Sequence, residues 1–123
     1  MKPNTKGLTR VIYATCYSWK GIKAAWKYEA AFRQEIILMI TLSFLAYILP
    51  VTVLERVVMI FSLALVVVVE LINSSIEAAV DRIGDEWHEL SGRAKDIGSA
   101  AVFVSLILAI FTWVSILVNN LVG

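Results

Sequence analysis

Two carboxylates, Glu70 and Glu77, stand in a run, 57–80, whose only other non-apolar members are Ser62, Asn73, Ser74 and Ser75. An acidic side chain at the middle of a membrane span costs on the order of 3 kcal/mol on insertion scales, so such residues mark function more often than packing. Seven residues is almost two helical turns, so both glutamates point to one side of a helix. Asn73 falls on that side between them, and Asp81 continues the line one turn on. A row of carboxylates and an amide offers oxygen ligands to a hard cation such as Mg²⁺. A carboxylate in a low-dielectric site is also a better proton acceptor than one in water. The competing readings are an interhelical hydrogen-bond seam, which fits Asn73 and Ser74 better than the glutamates, and a position near the membrane surface for Glu77 and Asp81. Asn73-Ser74-Ser75 matches a glycosylation sequon only formally.

Other polar residues admit plainer accounts. Glu29 and Arg33 are four apart and are placed to form a helical ion pair; with Glu35 they lie at the start of the first apolar run. His88 is solitary in a polar stretch. Trp19, Trp26, Trp87 and Trp113 have the character of interface anchors. Arg93, Lys95 and Asp96 precede a long apolar run; with a helix N-terminus there they could hold phosphates, or they are a solvated loop. The single cysteine, Cys16, excludes an intrachain disulfide, a CxxC pair and a zinc set. No GxxxxGK[ST], GxGxxG or kinase HRD or DFG set is present.

The elements that must position these residues follow from hydropathy. Of 123 residues 59% are hydrophobic and 17% charged, with mean hydropathy +0.79, against about a quarter charged in soluble domains. The length suits one domain. The net charge of +1 gives no reason to expect a nucleic-acid partner. Charge-free runs at 36–54 and 98–122, with the run at 57–80, predict three spans within helices at about 30–49, 53–84 and 92–121, Pro50 marking an exit turn. No cleavable signal peptide is expected, because the first long apolar run begins only at Ile36. Seven of the eleven basic residues lie before position 34 (Lys2, Lys6, Arg10, Lys20, Lys23, Lys27, Arg33), three more lie in 81–96, and only Arg56 lies between the first two spans. The positive-inside rule then puts the N-terminus and the second connection in the cytoplasm, which in a bacterium means the inner membrane. Residues 7–28 carry Leu8, Ile12, Cys16, Trp19, Ile22 and Trp26 on one stripe edged by lysines. That pattern predicts an amphipathic helix on the membrane surface, with Gly21 a possible bend.

The run 69–81, with Glu70, Asn73, Glu77 and Asp81 spaced as E-x-x-N-x-x-x-E-x-x-x-D, resembles the signature of the prokaryotic diacylglycerol kinase family. Tyr17-Ser18-Trp19-Lys20-Gly21 through Glu29-Ala30-Ala31-Phe32-Arg33-Gln34-Glu35, and Glu89-Leu90-Ser91-Gly92-Arg93-Ala94-Lys95-Asp96-Ile97-Gly98-Ser99-Ala100-Ala101, are similar to two further segments of that family. The resemblance covers about residues 7–101. It implies an all-α membrane protein: a surface helix plus three transmembrane helices, assembled as a homotrimer. The implied activity is transfer of the γ-phosphate of MgATP to the hydroxyl of 1,2-diacylglycerol. Carried over, Glu70 is the catalytic base and meets the substrate, and Glu29 and Glu77 bind both Mg²⁺ and nucleotide. Arg10, Tyr17, Glu86, His88, Lys95 and Asp96 match nucleotide-contacting positions, and Asn73 a supporting one. Arg10, Ala31, Phe32, Arg33, Gln34, Glu35, Ser99 and Trp113 match positions near the lipid. Two alternatives are an undecaprenol kinase, with the same chemistry on another alcohol, and a non-enzymatic bundle passing ions or protons along Glu70 and Glu77.

Overall fold

The computed structural model describes residues 6–123, so Lys2 lies outside the described part. Four helices follow in order: α1 (Gly7–Tyr28), α2 (Ala30–Ile48), α3 (Val53–Ile83) and α4 (Glu89–Val122). No strand occurs among the described residues. The last three helices are long and apolar enough to cross a membrane, with mean hydropathies of 1.5, 2.4 and 2.7 over their 18-residue windows. α3 has 31 residues and α4 has 34. At about 1.5 Å per residue both exceed the roughly 30 Å of a hydrocarbon layer. Their ends are therefore long enough to emerge into water while their middles remain in lipid.

Each break in the helical chain has a local cause. Glu29 alone separates α1 from α2, with extended backbone at φ −115° and ψ 104°. Arg33 Nη1 donates to the carbonyls of Trp26 (2.6 Å) and Lys27 (3.2 Å), supplying donors to acceptors that the end of α1 leaves open. The turn after α2 contains Pro50, which fixes an extended entrance for Leu49. α3 then starts with a capping box: the Glu55 N–H donates to Thr52 Oγ1 (3.1 Å), and the Thr52 N–H donates to Glu55 Oε1 (2.9 Å). α4 begins at Glu89, three residues before the sequence expectation of 92. The His88 Nδ1 accepts from the Leu90 N–H at 3.0 Å and caps the helix there, so Gly92 lies in the first turn, not at its edge. α1 runs unbroken through Gly21.

α3 is the central element, packing against both α2 and α4, while α1 touches α2. The apolar core gathers Ala46, Met59, Leu63 and Trp113 at the α2–α3 turn end of the bundle. Trp113 Nε1 donates to the Met59 carbonyl at 3.1 Å, so the indole enters the core with its N–H satisfied. The same end is closed by Arg56, which donates to the carbonyls of Ala46, Leu49 and Val51 and lies over the Tyr47 ring. Asn120 near the end of α4 donates to Glu55 Oε2 at 3.1 Å. One end of the molecule is thus tied by side chains from three helices.

Thr52→Ala removes the hydroxyl acceptor of the capping box. It should lower stability to unfolding in detergent micelles by about 1 kcal/mol and leave activity unchanged, because Thr52 lies at the opposite end of α3 from Glu70 and Glu77. An unchanged unfolding midpoint would show that the box contributes nothing.

Candidate functional site

The polar end is built on the lower half of α3. Glu70 is 4% exposed, and Asn73 and Ser74 are both buried beside it. The spacing read from the sequence is realised as a contact: Asn73 Nδ2 donates to Glu77 Oε1 at 2.9 Å. That bond fixes one oxygen of a half-buried carboxylate. Buried polar atoms are almost always hydrogen-bonded. Among the described residues those without a partner are Glu35 Oε2, Ser43 Oγ, Asn73 Oδ1 and Ser74 Oγ. Two of the four belong to neighbours of Glu70 on α3. The polar face of α3 is therefore only partly satisfied by the hydrogen bonds within one chain.

Two concavities adjoin α3. One, of about 860 Å³, lies between α1 and α3. Its walls include Ser18 and Glu29 from the first helix and its end, and Ser74, Glu77 and Asp81 from α3. It thus brings Glu29 and Glu77 to one cavity, 48 positions apart in sequence. The other is an apolar groove of about 340 Å³. It runs between α2, α3 and α4, lined by Leu42, Val66, Ala109 and Trp113, with Glu35 as its one charged member. The apolar groove adjoins α3 at residues 63–67 and the acidic-walled cavity adjoins it at residues 71–81, so the two follow one another along the helix with Glu70 at the level between them. Such a pair suits an amphiphilic reactant and a water-soluble one.

The remaining candidates divide by place. Lys95 Nζ donates to Asp81 Oδ1 at 2.7 Å, bridging the start of α4 to the end of α3 at the rim of the polar cavity. Both side chains are substantially exposed, so the pair adds little stability; it does hold an ammonium group at the cavity rim. His88, Glu86 and Asp96 are exposed at and beside the connection. With Nδ1 of His88 used for the cap, its Nε2 is the nitrogen left to face a ligand. Arg10 is exposed on α1, and Tyr17 is half-buried and stacked against Tyr13, with ring centroids 6.5 Å apart. Ala31, Gln34 and Ser99 are exposed, Arg33 and Glu35 are half-buried, and Phe32 is 2% exposed.

The expected Glu29–Arg33 ion pair does not form. Among the described residues the ion pairs are Arg93–Glu89 and Lys95–Asp81. The arginine turns back to the carbonyls closing α1, and Glu29 is left on the wall of the cavity. Sequence reasoning missed this use of Arg33, although a cation five residues past the end of α1 is a usable signal for it. It also missed Gly98, buried on α4 opposite Asn73.

A Mg²⁺ ion fits the chemistry of the donors, which are carboxylate oxygens on a water-accessible wall. The described residues contain no group of three or more His, Cys, Asp or Glu side chains that could hold a metal by themselves. Mg²⁺ is commonly held by one or two carboxylates, with phosphates and water completing its shell, and Glu29 and Glu77 are two such carboxylates.

A family model described as prokaryotic diacylglycerol kinase matches residues 16–117. The chain is 56% identical over 113 residues to the diacylglycerol kinase of Escherichia coli K12, covering 92% of this chain and 93% of that one. It is 50% identical to that of Haemophilus influenzae, over 92% of this chain and 96% of the relative. To that of Pseudomonas aeruginosa it is 49% identical, over 92% of each.

Arg33→Met keeps the apolar stem and removes the donors to Trp26 and Lys27. Amide exchange should accelerate over residues 25–29, with a stability loss of about 1 kcal/mol. Unaltered exchange there would mean that the junction between α1 and α2 holds without the guanidinium.

Proposed function

The chain belongs to the prokaryotic diacylglycerol kinase family, and from that premise we propose that it transfers the γ-phosphate of MgATP to the hydroxyl of 1,2-diacylglycerol, giving phosphatidic acid and ADP. The observation that carries this reading beyond the family is the placement of Glu70. It is a buried carboxylate on α3 at the level between the apolar groove, which adjoins residues 63–67, and the acidic-walled cavity, which adjoins residues 71–81. On this reading the acyl chains stay in the apolar phase near Trp113, Phe32 and the Ala31–Glu35 turn, with Arg10 and Ser99 nearer the surface. ATP approaches from the cytoplasm over Tyr17, Glu86, His88, Lys95 and Asp96.

Phosphoryl transfer asks the protein chiefly for positioning and for neutralisation of phosphate charge. Glu70 accepts the proton of the lipid hydroxyl as its oxygen bonds to the γ-phosphorus, and the bond to the bridging oxygen of ADP breaks. Lys95 adds positive charge beside the phosphates. Asn73 keeps one oxygen of Glu77 in place, and Glu29 faces the same cavity. A bound Mg²⁺, held by those two carboxylates, would neutralise phosphate charge and align the nucleotide.

The same proposal includes the assembly and its setting. Only 11% of the apolar windows of α2 and α4 is buried within one chain, against 39% for α3. A homotrimer would cover part of the remainder and close the sites from the side. α1 would lie on the cytoplasmic surface of a bacterial inner membrane: Leu8, Ile12, Trp19, Ile22 and Trp26 are exposed along it, and its lysines suit anionic headgroups.

The direct test offers labelled MgATP to mixed micelles containing diacylglycerol and undecaprenol. Label should pass to diacylglycerol; transfer to undecaprenol alone would reassign the acceptor, and transfer to neither would overturn the kinase reading. Glu70→Gln is nearly isosteric. It should lower kcat by roughly 10²-fold or more while the KM for MgATP changes little. Near-normal turnover in a folded Glu70→Gln protein would show that the base is another group. Glu77→Gln should raise the Mg²⁺ concentration needed for half-maximal activity, and an unchanged requirement would place the ion elsewhere.

A further inference from the structure

Alanine is a better helix former than glycine, so a glycine deep in a helix invites a packing explanation. Three glycines flank or enter α4's first turns: Gly84, Gly92 and Gly98. A Cβ built on Gly84 or Gly92 meets nothing within 4 Å. A Cβ on Gly98 would collide with Asn73 Oδ1 and lie 3.3 Å from Asn73 Cγ. Gly98 is buried, and α3 and α4 meet there by way of that amide. The amide is bonded at its nitrogen and packed against Gly98 at its oxygen. Its Oδ1 lies buried against the Gly98 backbone without a hydrogen-bond partner, and its Nδ2 donates to Glu77 Oε1 at 2.9 Å.

We infer that Gly98 is a positioning residue: the missing Cβ makes the slot that seats the Asn73 amide, and the seated amide aims Glu77 into the cavity between α1 and α3. The chain of contact runs from α4 through Asn73 to a carboxylate, and Gly98 itself touches no reactant. With any side chain at 98, the amide must swing out of its slot. Glu77 then loses its donor and becomes free to rotate. Partners that orient a metal-binding group commonly change metal affinity by 10–100-fold when removed. The inference rests on the reading that Glu77 holds the metal with the nucleotide.

The test measures binding as well as turnover. Mn²⁺ with the non-hydrolysable β,γ-methylene analogue of ATP is titrated into the full-length protein in micelles and followed by electron paramagnetic resonance. Gly98→Ala should weaken Mn²⁺ binding about tenfold or more, and Gly92→Ala, whose added methyl meets open space, should leave it unchanged. Asn73→Ala should weaken it similarly and also empty the slot. The double variant Gly98→Ala with Asn73→Ala should therefore bind no more weakly than Asn73→Ala alone, because both changes act through one amide. The double variant also guards against a folding defect, since the collision is gone from it. Mn²⁺ binding by Gly98→Ala equal to that of the unaltered protein would overturn the inference. So would losses that multiply in the double variant, since Gly98 would then act by another route. Glu77→Gln separates this from failure of the reading beneath it. If that change leaves Mn²⁺ binding intact, the metal assignment of Glu77 falls and the inference with it. If it weakens binding while Gly98→Ala does not, only the inference falls.

Discussion

A carboxylate held in an apolar helix is the constraint around which this molecule is arranged. Glu70 sits on a helix whose surroundings reward apolar side chains, and its placement there costs several times the gain from one leucine. The cost is tolerable only because the helix is central. α3 packs against α2 and α4, and the face that carries Glu70 is covered while the opposite face remains apolar. Asn73 and Ser74, buried on the same turns, give that face a polar lining instead of isolating one charge among leucines. A lone span with this sequence would have to present the same face to lipid.

Stability and polarity are separated along the bundle. The apolar core of Ala46, Met59, Leu63 and Trp113 lies toward the α2–α3 turn, where Arg56, the Thr52–Glu55 box and the Asn120–Glu55 bond close the structure. The other end carries the orphaned polar atoms of Asn73 and Ser74 and the larger, more polar cavity. Incomplete hydrogen bonding is costly in a packed interior; Ser43 Oγ, beside Leu42 on α2, is an instance nearer the core. α1, with Ala25 as its only buried residue, contributes nothing to the turn end, whose core is built from α2, α3 and α4.

Much of this was legible in the residues themselves. The seven-residue spacing put Glu70 and Glu77 on one face with Asn73 between them, and the Asn73–Glu77 bond is the contact that a four-residue separation allows. Three apolar helices followed from hydropathy alone. What escaped was information held between helices. Nothing in the local sequence says that Arg33 prefers carbonyls at the end of α1 to the carboxylate four residues before it, because that choice depends on the angle at Glu29. His88 read as a loop residue, since its capping role requires the backbone to turn at that point, and the start of α4 was accordingly set too late. Gly98 read as one small residue among several, for its neighbour Asn73 is on another helix.

The sparse ligand set has a consequence for how the proposed reactants combine. Two carboxylates, Glu29 and Glu77, face one cavity, and no group of three or more metal-binding side chains occurs among the described residues. On the proposed reading the protein alone offers Mg²⁺ too few oxygens for a tight site, and phosphate oxygens must supply others. The nucleotide meets the converse problem. Its phosphates approach a wall that bears Glu29, Glu77 and Asp81, and Lys95 at the rim is already paired with Asp81. Bare ATP would be repelled by the carboxylates that the ion neutralises. Each ligand therefore lowers the cost of binding the other, and linkage makes that coupling equal in both directions. A site built this way favours the metal–nucleotide complex over either component. It also leaves the acidic wall hydrated between turnovers, when the carboxylates face water instead of one another across a dry core.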